Sequence, residues 1–279
     1  MVELRELAVD YPSGYANTRG HGRVKAVTGT SAVFPSGGIS AIVGPSGCGK
    51  TSLVHAIAGL LVPASGEALI DGQPLRGIRD RTSVIFQDYG LLPWRSVEAN
   101  AELPLIIAGL NREERRRRVR PLLAELGLSA FRDFYPSRLS GGMKQRVAIA
   151  RALAAEPDLL LMDEPFSSLD ALTREAAQEF LLEIRRARAL TIVVVTHSIE
   201  EAVYLAETVF VMGGRNPGSI RERFDIPENQ SARRFSPETA IPGPREQDFR
   251  AKPRYLQLCA AIRASLRTAG PIDDAEASR

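Results

Sequence analysis

The chain has 279 residues, 44% of them hydrophobic and 25% charged, enough for one substantial domain or two small ones. A net charge of +3 and a pI near 9.0 select neither a nucleic acid, an anionic membrane surface nor a nucleotide as partner. The charged start MVELREL is not expected to act as a secretory leader, and apolar runs of about strand length leave no membrane-spanning helix, so work at a membrane would require recruitment.

Val2–Val9 alternates as a strand, and Pro12–Val24, rich in Gly, Ser, Asn and Arg, reads as an extended loop. Tyr11, ending that strand, could stack its face on adenine; Tyr15 in the loop is a competitor, and the residues alone require neither to stack. Ile39–Val43 is a short buried strand feeding GPSGCGKT, Gly44–Thr51, which matches G-x-x-x-x-G-K-[ST] between strand and helix, the context that motif needs. Gly44, Pro45, Ser46, Gly47, Cys48, Gly49, Lys50 and Thr51, with Ser52 continuing the helix, form a candidate phosphate cradle. Its glycines let backbone N–H groups close around phosphates, Lys50 reaches the β- and γ-phosphates, and the Thr51 hydroxyl ligates Mg²⁺. Ser52–Leu60 continues as helix, ended by Pro63 and Gly66. Cys48 and Cys259 are read as free thiols of a reducing compartment, since a disulfide at Cys48 would block the cradle.

Ser83–Phe86 is an apolar strand ended by Gln87, whose amide could touch Mg²⁺ or the attacking water, or could be an ordinary polar strand end. From about Asp88 to Ala155 the pattern is helical, with a charged stretch at Arg112–Val119 and Pro121 predicted to kink it or start a fresh helix. Arg115–Arg118 lies among glutamates without aromatic interleaving, so it reads as a solvated face rather than a nucleic-acid site. LSGGMKQRVAIARAL, Leu139–Leu153, places Ser140, Gly141 and Gly142 just ahead of a helix. The first turn of a helix has unpaired N–H groups and a positive dipole end, so this is a second phosphate-binding edge. One ATP needs one cradle; two edges in one chain imply that each ATP is held between two copies. Leu159–Met162 is a strand that delivers Asp163, suited to hold Mg²⁺ through water, and Glu164, suited to orient or deprotonate the attacking water. A helix over about Ala171–Arg188 leads to the apolar strand Thr191–Thr196, a βαβ spacing that predicts a parallel sheet with helical cover. His197 follows that strand and could hydrogen-bond the γ-phosphate from the side opposite Lys50, whereas His55 and His21 carry no such expectation. Val209–Met212 is one more strand. The segment from Pro227 to Pro253 reads as a linker or wrapped arm, and Arg254–Arg267 puts Tyr255, Leu258, Cys259, Ile262 and Leu266 on one helical face expected to pack on the body.

Taken in order, the glycine loop, Gln87, LSGGM, the Asp163–Glu164 pair, SSLD and His197 resemble the nucleotide-binding subunits of ATP-binding cassette (ABC) transporters over about Val2 to Ile220. The resemblance implies an α/β fold with a P-loop NTPase core, an antiparallel β subdomain and a helical subdomain at about 88–155. The ATPase domain would then span 1–220, leaving 221–279 as an arm with a terminal amphipathic helix. The resemblance also implies roles. Lys50, Thr51 and the loop amides from Gly47 to Ser52 hold phosphates and metal, and Gln87 links the site to the helical subdomain. Ser140, Gly141 and Gly142 reach the γ-phosphate of the opposite subunit, and Asp170 sits at the dimer seam. Asp163 is the metal-water ligand, Glu164 the catalytic carboxylate, His197 the switch histidine, and Tyr11 best fits the adenine-stacking position.

QDYGLLPWRSVEAN, Gln87–Asn100, together with LSGGM and DEPFSSLD, is similar to the importer branch for nitrate, sulfonates and taurine. That likeness implies a homodimeric ATPase on the cytoplasmic face of the membrane, peripheral to it. Leu91, Leu92, Pro93 and Trp94 would line the groove for the coupling helix of an integral-membrane permease, which an extracytoplasmic binding protein supplies; no nucleic acid is involved. Met143 replaces the glutamine of the most familiar signature, and NPGSI at Asn216–Ile220 only partly resembles the turn of this branch. A soluble ABC ATPase acting on ribosomes or DNA is the main rival, disfavoured by the single cassette and the lack of a heptad run. An exporter-type subunit is disfavoured by DEPF and LLPW.

Overall fold

The structure is a computed structural model and describes residues 1–12, 23–214, 217–230 and 249–268. These divide into two compact units, Met1–Gly77 with Val195–Arg279, and Ile78–Val194. Among the described residues no helix is long and apolar enough to cross a membrane.

The first unit opens with β1 (Val2–Pro12), β2 (Arg23–Phe34), the fully buried β3 (Ile39–Val43) and α1 (Lys50–Ile57), followed by β4 (Ser65–Ile70) and β5 (Gln73–Pro74). An antiparallel sheet in the order β2–β1–β4–β5 forms from the alternating N-terminal segments. Arg23 and Val24, expected in the loop, instead pair with Pro12 and Tyr11 in the β1–β2 ladder. Tyr15 and His21 lie outside the described residues. Helix α1 begins at Lys50 and stops at Ile57, short of the expected Leu60. The stop is Gly59, whose φ of 74° reverses the chain while Leu60 N–H bonds back to the His55 carbonyl. Gly66, expected to end the helix, lies in β4.

The second unit begins with β6 (Thr82–Ile85), then α2 (Val97–Ala101), α3 (Leu103–Ile107), α4 (Arg112–Glu125) and α5 (Gly141–Ala154). The buried β7 (Leu159–Asp163), α6 (Ala171–Ala187) and β8 (Thr191–Thr196) follow, and β8 carries the chain back to the first unit. β6 and β7 pair in parallel. Ser96, Asn111, Ser140 and Asp170 each accept the N–H three residues on, capping α2, α4, α5 and α6. α4 runs unbroken through Pro121, so no fresh helix starts there. Val119 and Leu123 are buried on its inner face, and their packing outweighs the hydrogen bond that proline removes. The arginine run is not a plain solvated face either. Arg115 bonds Glu102 at 3.1 Å, and Arg118 bonds Glu114 at 3.2 Å and lies 3.6 Å from Glu156. Only Arg117 of the four is well exposed, with 77% of its side chain in solvent.

The chain then completes the first unit with α7 (Ile199–Leu205), β9 (Thr208–Gly213), β10 (Ser219–Asp225), α8 (Pro227–Gln230) and α9 (Pro253–Thr268). β9 pairs in parallel with β3 and antiparallel with β10. Strand β10 was not anticipated, because RERFD has too little apolar alternation to signal an edge strand. α9 packs on α7 and β9 through Tyr255, Leu258, Cys259 and Ile262, as its stripe predicts. The Tyr255 hydroxyl donates to the Glu200 carbonyl at 3.0 Å. Cys48 and Cys259 are both free and buried. Ile262→Ala should therefore destabilise the protein by about 2–4 kcal/mol in urea unfolding. Leu256→Ala, on the exposed face of the same helix, should stay within about 0.5 kcal/mol; equal losses would mean α9 is not docked.

Candidate functional site

In the first unit, Gly44–Gly49 turns between β3 and α1, with Gly47 and Gly49 at φ of 78° and 93°. Those left-handed conformations suit glycine, and Gly49 is the N-cap of α1. The Lys50 ammonium folds back over the loop and donates to the carbonyls of Gly44 and Pro45, each at 2.9 Å. Lys50 is only 6% exposed. An ammonium has three N–H donors, so two are used to span the loop and one remains for a phosphate oxygen. Pro45 and Ser46 form the outer turn, closed by the Cys48 N–H on the Pro45 carbonyl at 3.4 Å. The Cys48 thiol is buried beneath it, and that burial raises its pKa and disfavours the thiolate, so the side chain serves to fill the space under the turn. Thr51 is exposed at the first turn of α1. Ser52 accepts a 3.0 Å hydrogen bond from the Tyr11 hydroxyl, which ties the end of β1 to α1 and fixes the tyrosine ring beside the cradle. His197 follows β8 and is exposed, just ahead of Ser198, the N-cap of α7. His55 lies on α1, outside the glycine loop.

Gly218 supports this loop from behind, a role not legible from its neighbours in the chain. A Cβ at Gly218 would lie 1.9 Å from the Cys48 carbonyl oxygen. Its own backbone bonds Ala26 and Thr28, so it cannot retreat without breaking the β2 contact. The only signal was the partly matching NPGSI, of which Asn216 lies outside the described residues.

In the second unit, β7 ends at the buried Asp163, and Glu164 follows at φ 45°, a left-handed backbone conformation that bends the chain at the end of the strand. Gln87 lies two residues beyond the end of β6, not at its last position, and its Nε2 reaches Glu164 Oε2 at 3.5 Å. The structure thus brings together two of the expected site residues that are 77 positions apart. Ser140 caps α5, accepting from Met143 N–H at 3.3 Å. Gly141 and Gly142 are small for a local reason as well: a Cβ on Gly142 would sit 2.6 Å from Thr173 Cγ2, and one on Gly141 3.2 Å from Leu169 Cδ2. The segment before α6 therefore packs directly under the signature turn. Asp170 caps α6 through Thr173 N–H at 3.0 Å, and hydrogen bonding to the Thr173 side chain and then to its N–H holds the Asp170 carboxyl below the usual range.

Trp94 is 71% exposed, and the turn that presents it is rigid. The buried Asn100 accepts from Leu92 N–H at 2.8 Å and donates to the carbonyls of Leu92, Arg95 and Ser96. Leu91 and Leu92 are half-buried beside it, and Pro93 is exposed. A large aromatic held out on a fixed turn has the form of a binding anchor.

Because Gly218 closes against the Cys48 carbonyl, Gly218→Ala should weaken ATP binding at least tenfold in an equilibrium titration, by displacing Cys48 and the amides beside it. Wild-type affinity in that variant would show that the loop has room to give.

Comparison with known proteins fits this geometry. The family model described as ABC transporter matches residues 27–167. The taurine import ATP-binding protein TauB of Rhizobium johnstonii is 43% identical over 260 residues, covering 93% of this chain and 96% of its own. TauB of Yersinia pseudotuberculosis is 42% identical over 231 residues, covering 83% and 89%. Among solved structures, the dimeric bacterial ABC transporter cassette MJ0796 matches with a TM-score of 0.70 at 30% identity, covering 81% of this chain and 99% of that one. The same cassette in a post-hydrolysis state bound to ADP and Pi matches at 0.69 and 31%. With an α/β fold, a glycine loop arched over by its own lysine and a capped signature helix, this chain belongs to the ABC transporter family, as an ATP-binding and ATP-hydrolysing subunit.

Proposed function

We propose that this chain energises an importer for a small organic or inorganic nutrient of the nitrate, sulfonate or taurine type, working as a head-to-tail homodimer beneath a membrane permease. The observation that carries the pairing is that one chain offers two phosphate-binding edges, the Lys50 loop and the Ser140-capped helix. MJ0796 has been solved as a dimer, which supports the same arrangement here. The importer reading is supported by relatives named for taurine import; ribosome, DNA and exporter readings have no such support. Peripheral attachment to the cytoplasmic face, with an extracytoplasmic binding protein feeding the permease, follows from that reading.

In this mechanism Lys50 and the amides of Gly47–Ser52 bind the phosphates, and Tyr11 stacks on adenine, with Ser52 orienting its ring. Ser140, Gly141 and Gly142 of one copy close on the γ-phosphate bound by the other, and Asp170 lies at the seam. Glu164 takes a proton from the attacking water. Gln87, hydrogen-bonded to Glu164, orients that carboxylate, and His197 donates to the γ-phosphate. Closure is a population shift, because ATP contacts both copies only when they meet. Loss of the γ-phosphate removes the shared ligand and the pair reopens. Trp94, Leu91, Leu92 and Pro93 receive the permease.

The donor set fits Mg²⁺. The Thr51 hydroxyl, the Asp163 carboxylate and the Gln87 amide oxygen are hard oxygen donors, and the Gln87 nitrogen is the atom that faces Glu164. No group of three His, Cys, Asp or Glu side chains gathers as a metal cage among the described residues, and Mg²⁺ beside phosphates needs only one or two protein oxygens. When bound there, the ion would neutralise charge developing on the phosphate oxygens.

Lys50→Ala should abolish ATP turnover; wild-type turnover would remove the site. Glu164→Gln should bind ATP and accumulate as dimer on size-exclusion chromatography, and a strictly monomeric profile with ATP would contradict the pairing. Trp94→Ala should lower permease-stimulated turnover more than basal turnover, whereas equal losses would remove the docking role.

A further inference from the structure

The turn that carries Gln87 is held in place more firmly than its glutamine alone requires. Asp88 accepts the Gly90 N–H at 3.1 Å, and Tyr89 and Gly90 both take left-handed backbone conformations, φ 63° and 54°. For a bulky residue such as Tyr89 that conformation is strained, and it persists only where surrounding contacts enforce it. Two contacts do so. Arg151, from α5, donates to the Gly90 carbonyl at 2.5 Å and to the Tyr89 carbonyl at 2.7 Å. The Tyr89 side chain is buried, and its hydroxyl meets the Ser168 hydroxyl at 2.7 Å.

Ser168 belongs to the segment packed beneath the signature turn. Its neighbour Leu169 lies against Gly141, and its own carbonyl is 4.0 Å from where a Gly141 Cβ would be. Arg174 fixes the same segment, donating to the carbonyls of Phe166 and Leu169 at 3.3 and 2.6 Å. The glutamine turn meets the last turn of α5 through Arg151, and the Ser168 segment meets its first turn at Gly141, so the turn, the segment and the whole length of α5 form a closed ring of contacts. Arg151 closes it on one side and Tyr89 on the other.

We propose that Tyr89 is a positioning residue whose hydroxyl, through Ser168, couples the Gln87–Trp94 stretch to the Ser140–Gly142 phosphate edge. This rests on the reading above that the stretch takes up the permease. A push on the Leu91–Trp94 turn, whose tip is the exposed Pro93 and Trp94, reaches Tyr89 within a few residues. From Tyr89 it passes to Ser168 and Leu169, and from there to the glycines that meet the partner's ATP. The P-loop and its lysine take no part in this path, so the first binding of ATP at that loop is left alone while the placing of the second edge changes.

The test uses the assembled transporter in lipid nanodiscs, comparing wild type with Tyr89→Phe, Ser168→Ala, the double variant and Ser168→Thr. KM for ATP, the ratio of permease-stimulated to basal turnover, and the thermal midpoint are measured. A neutral hydroxyl pair is worth about three- to tenfold in an equilibrium or rate. Tyr89→Phe and Ser168→Ala should each lower the stimulation ratio about three- to tenfold with KM within about twofold. The double variant should fall no further than either single one, and Ser168→Thr should keep the ratio. A wild-type ratio in Tyr89→Phe overturns the proposal. So do additive losses in the double variant, or a fall in basal turnover and thermal midpoint that accounts for the whole effect. Trp94→Ala in the same transporter separates the two ideas. If it keeps full stimulation while Tyr89→Phe loses it, the docking turn is misassigned and the coupling stands. If it loses stimulation while Tyr89→Phe keeps it, the coupling fails and the docking turn stands.

Discussion

A buried ammonium group held by backbone carbonyl dipoles is the interaction on which the rest of this structure depends. Lys50 is almost wholly enclosed, and its hydrogen bonds go to Gly44 and Pro45. Two neutral acceptors compensate a desolvated cation poorly, so the loop is poised for an anion to complete it. Everything packed behind the loop serves to keep it in this state. The buried β3 delivers it, Gly49 starts α1 with its amides turned inward, and Gly218 closes against Cys48 where no side chain would fit. Tyr11 and Ser52 tie the first strand to the same helix.

The second unit is built around a different economy of small residues. Signature glycines are commonly explained by approach to a phosphate, yet here a Cβ at Gly142 would also press on Thr173 Cγ2, and one at Gly141 on Leu169 Cδ2, so a larger residue would have to displace those side chains. The local and the cross-subunit demands coincide at the same positions. Asp170 shows the same overlap, as an anionic cap of α6 that the proposed dimer would reuse at its seam. A turn packed this closely on the segment beneath it is held in place before a partner arrives, which lowers the entropic cost of closure.

How far this could be read from the sequence depended on whether a residue's role was written in its neighbours or in distant contacts. The glycine loop, Asp163 and Glu164, the capped helix at Ser140 and the stripe of α9 were all legible, because periodicity, caps and motif spacing are local properties. The misreadings have nonlocal causes. Pro121 reads as a helix break until Val119 and Leu123 are seen to be buried. Arg115 reads as solvated until Glu102 is seen to face it from the end of α2. β10 is invisible as a polar edge strand that β9 templates. Gly218, Tyr89 and Ser168 could not be singled out at all. Gly218 acts by what its absent side chain does not touch, and Tyr89 and Ser168 meet across 79 positions of sequence.

The most direct measurement is complementation between two inactive proteins. Lys50→Ala loses the first phosphate edge and keeps the second; Ser140→Arg blocks the second and keeps the first. In a head-to-tail pair, mixing them assembles one intact site from the loop of one and the signature turn of the other. The mixture should recover ATP turnover that neither protein shows alone, peaking near an equimolar ratio. No recovery at any ratio, with mixed dimers demonstrably formed, would contradict a reaction centre shared between two copies.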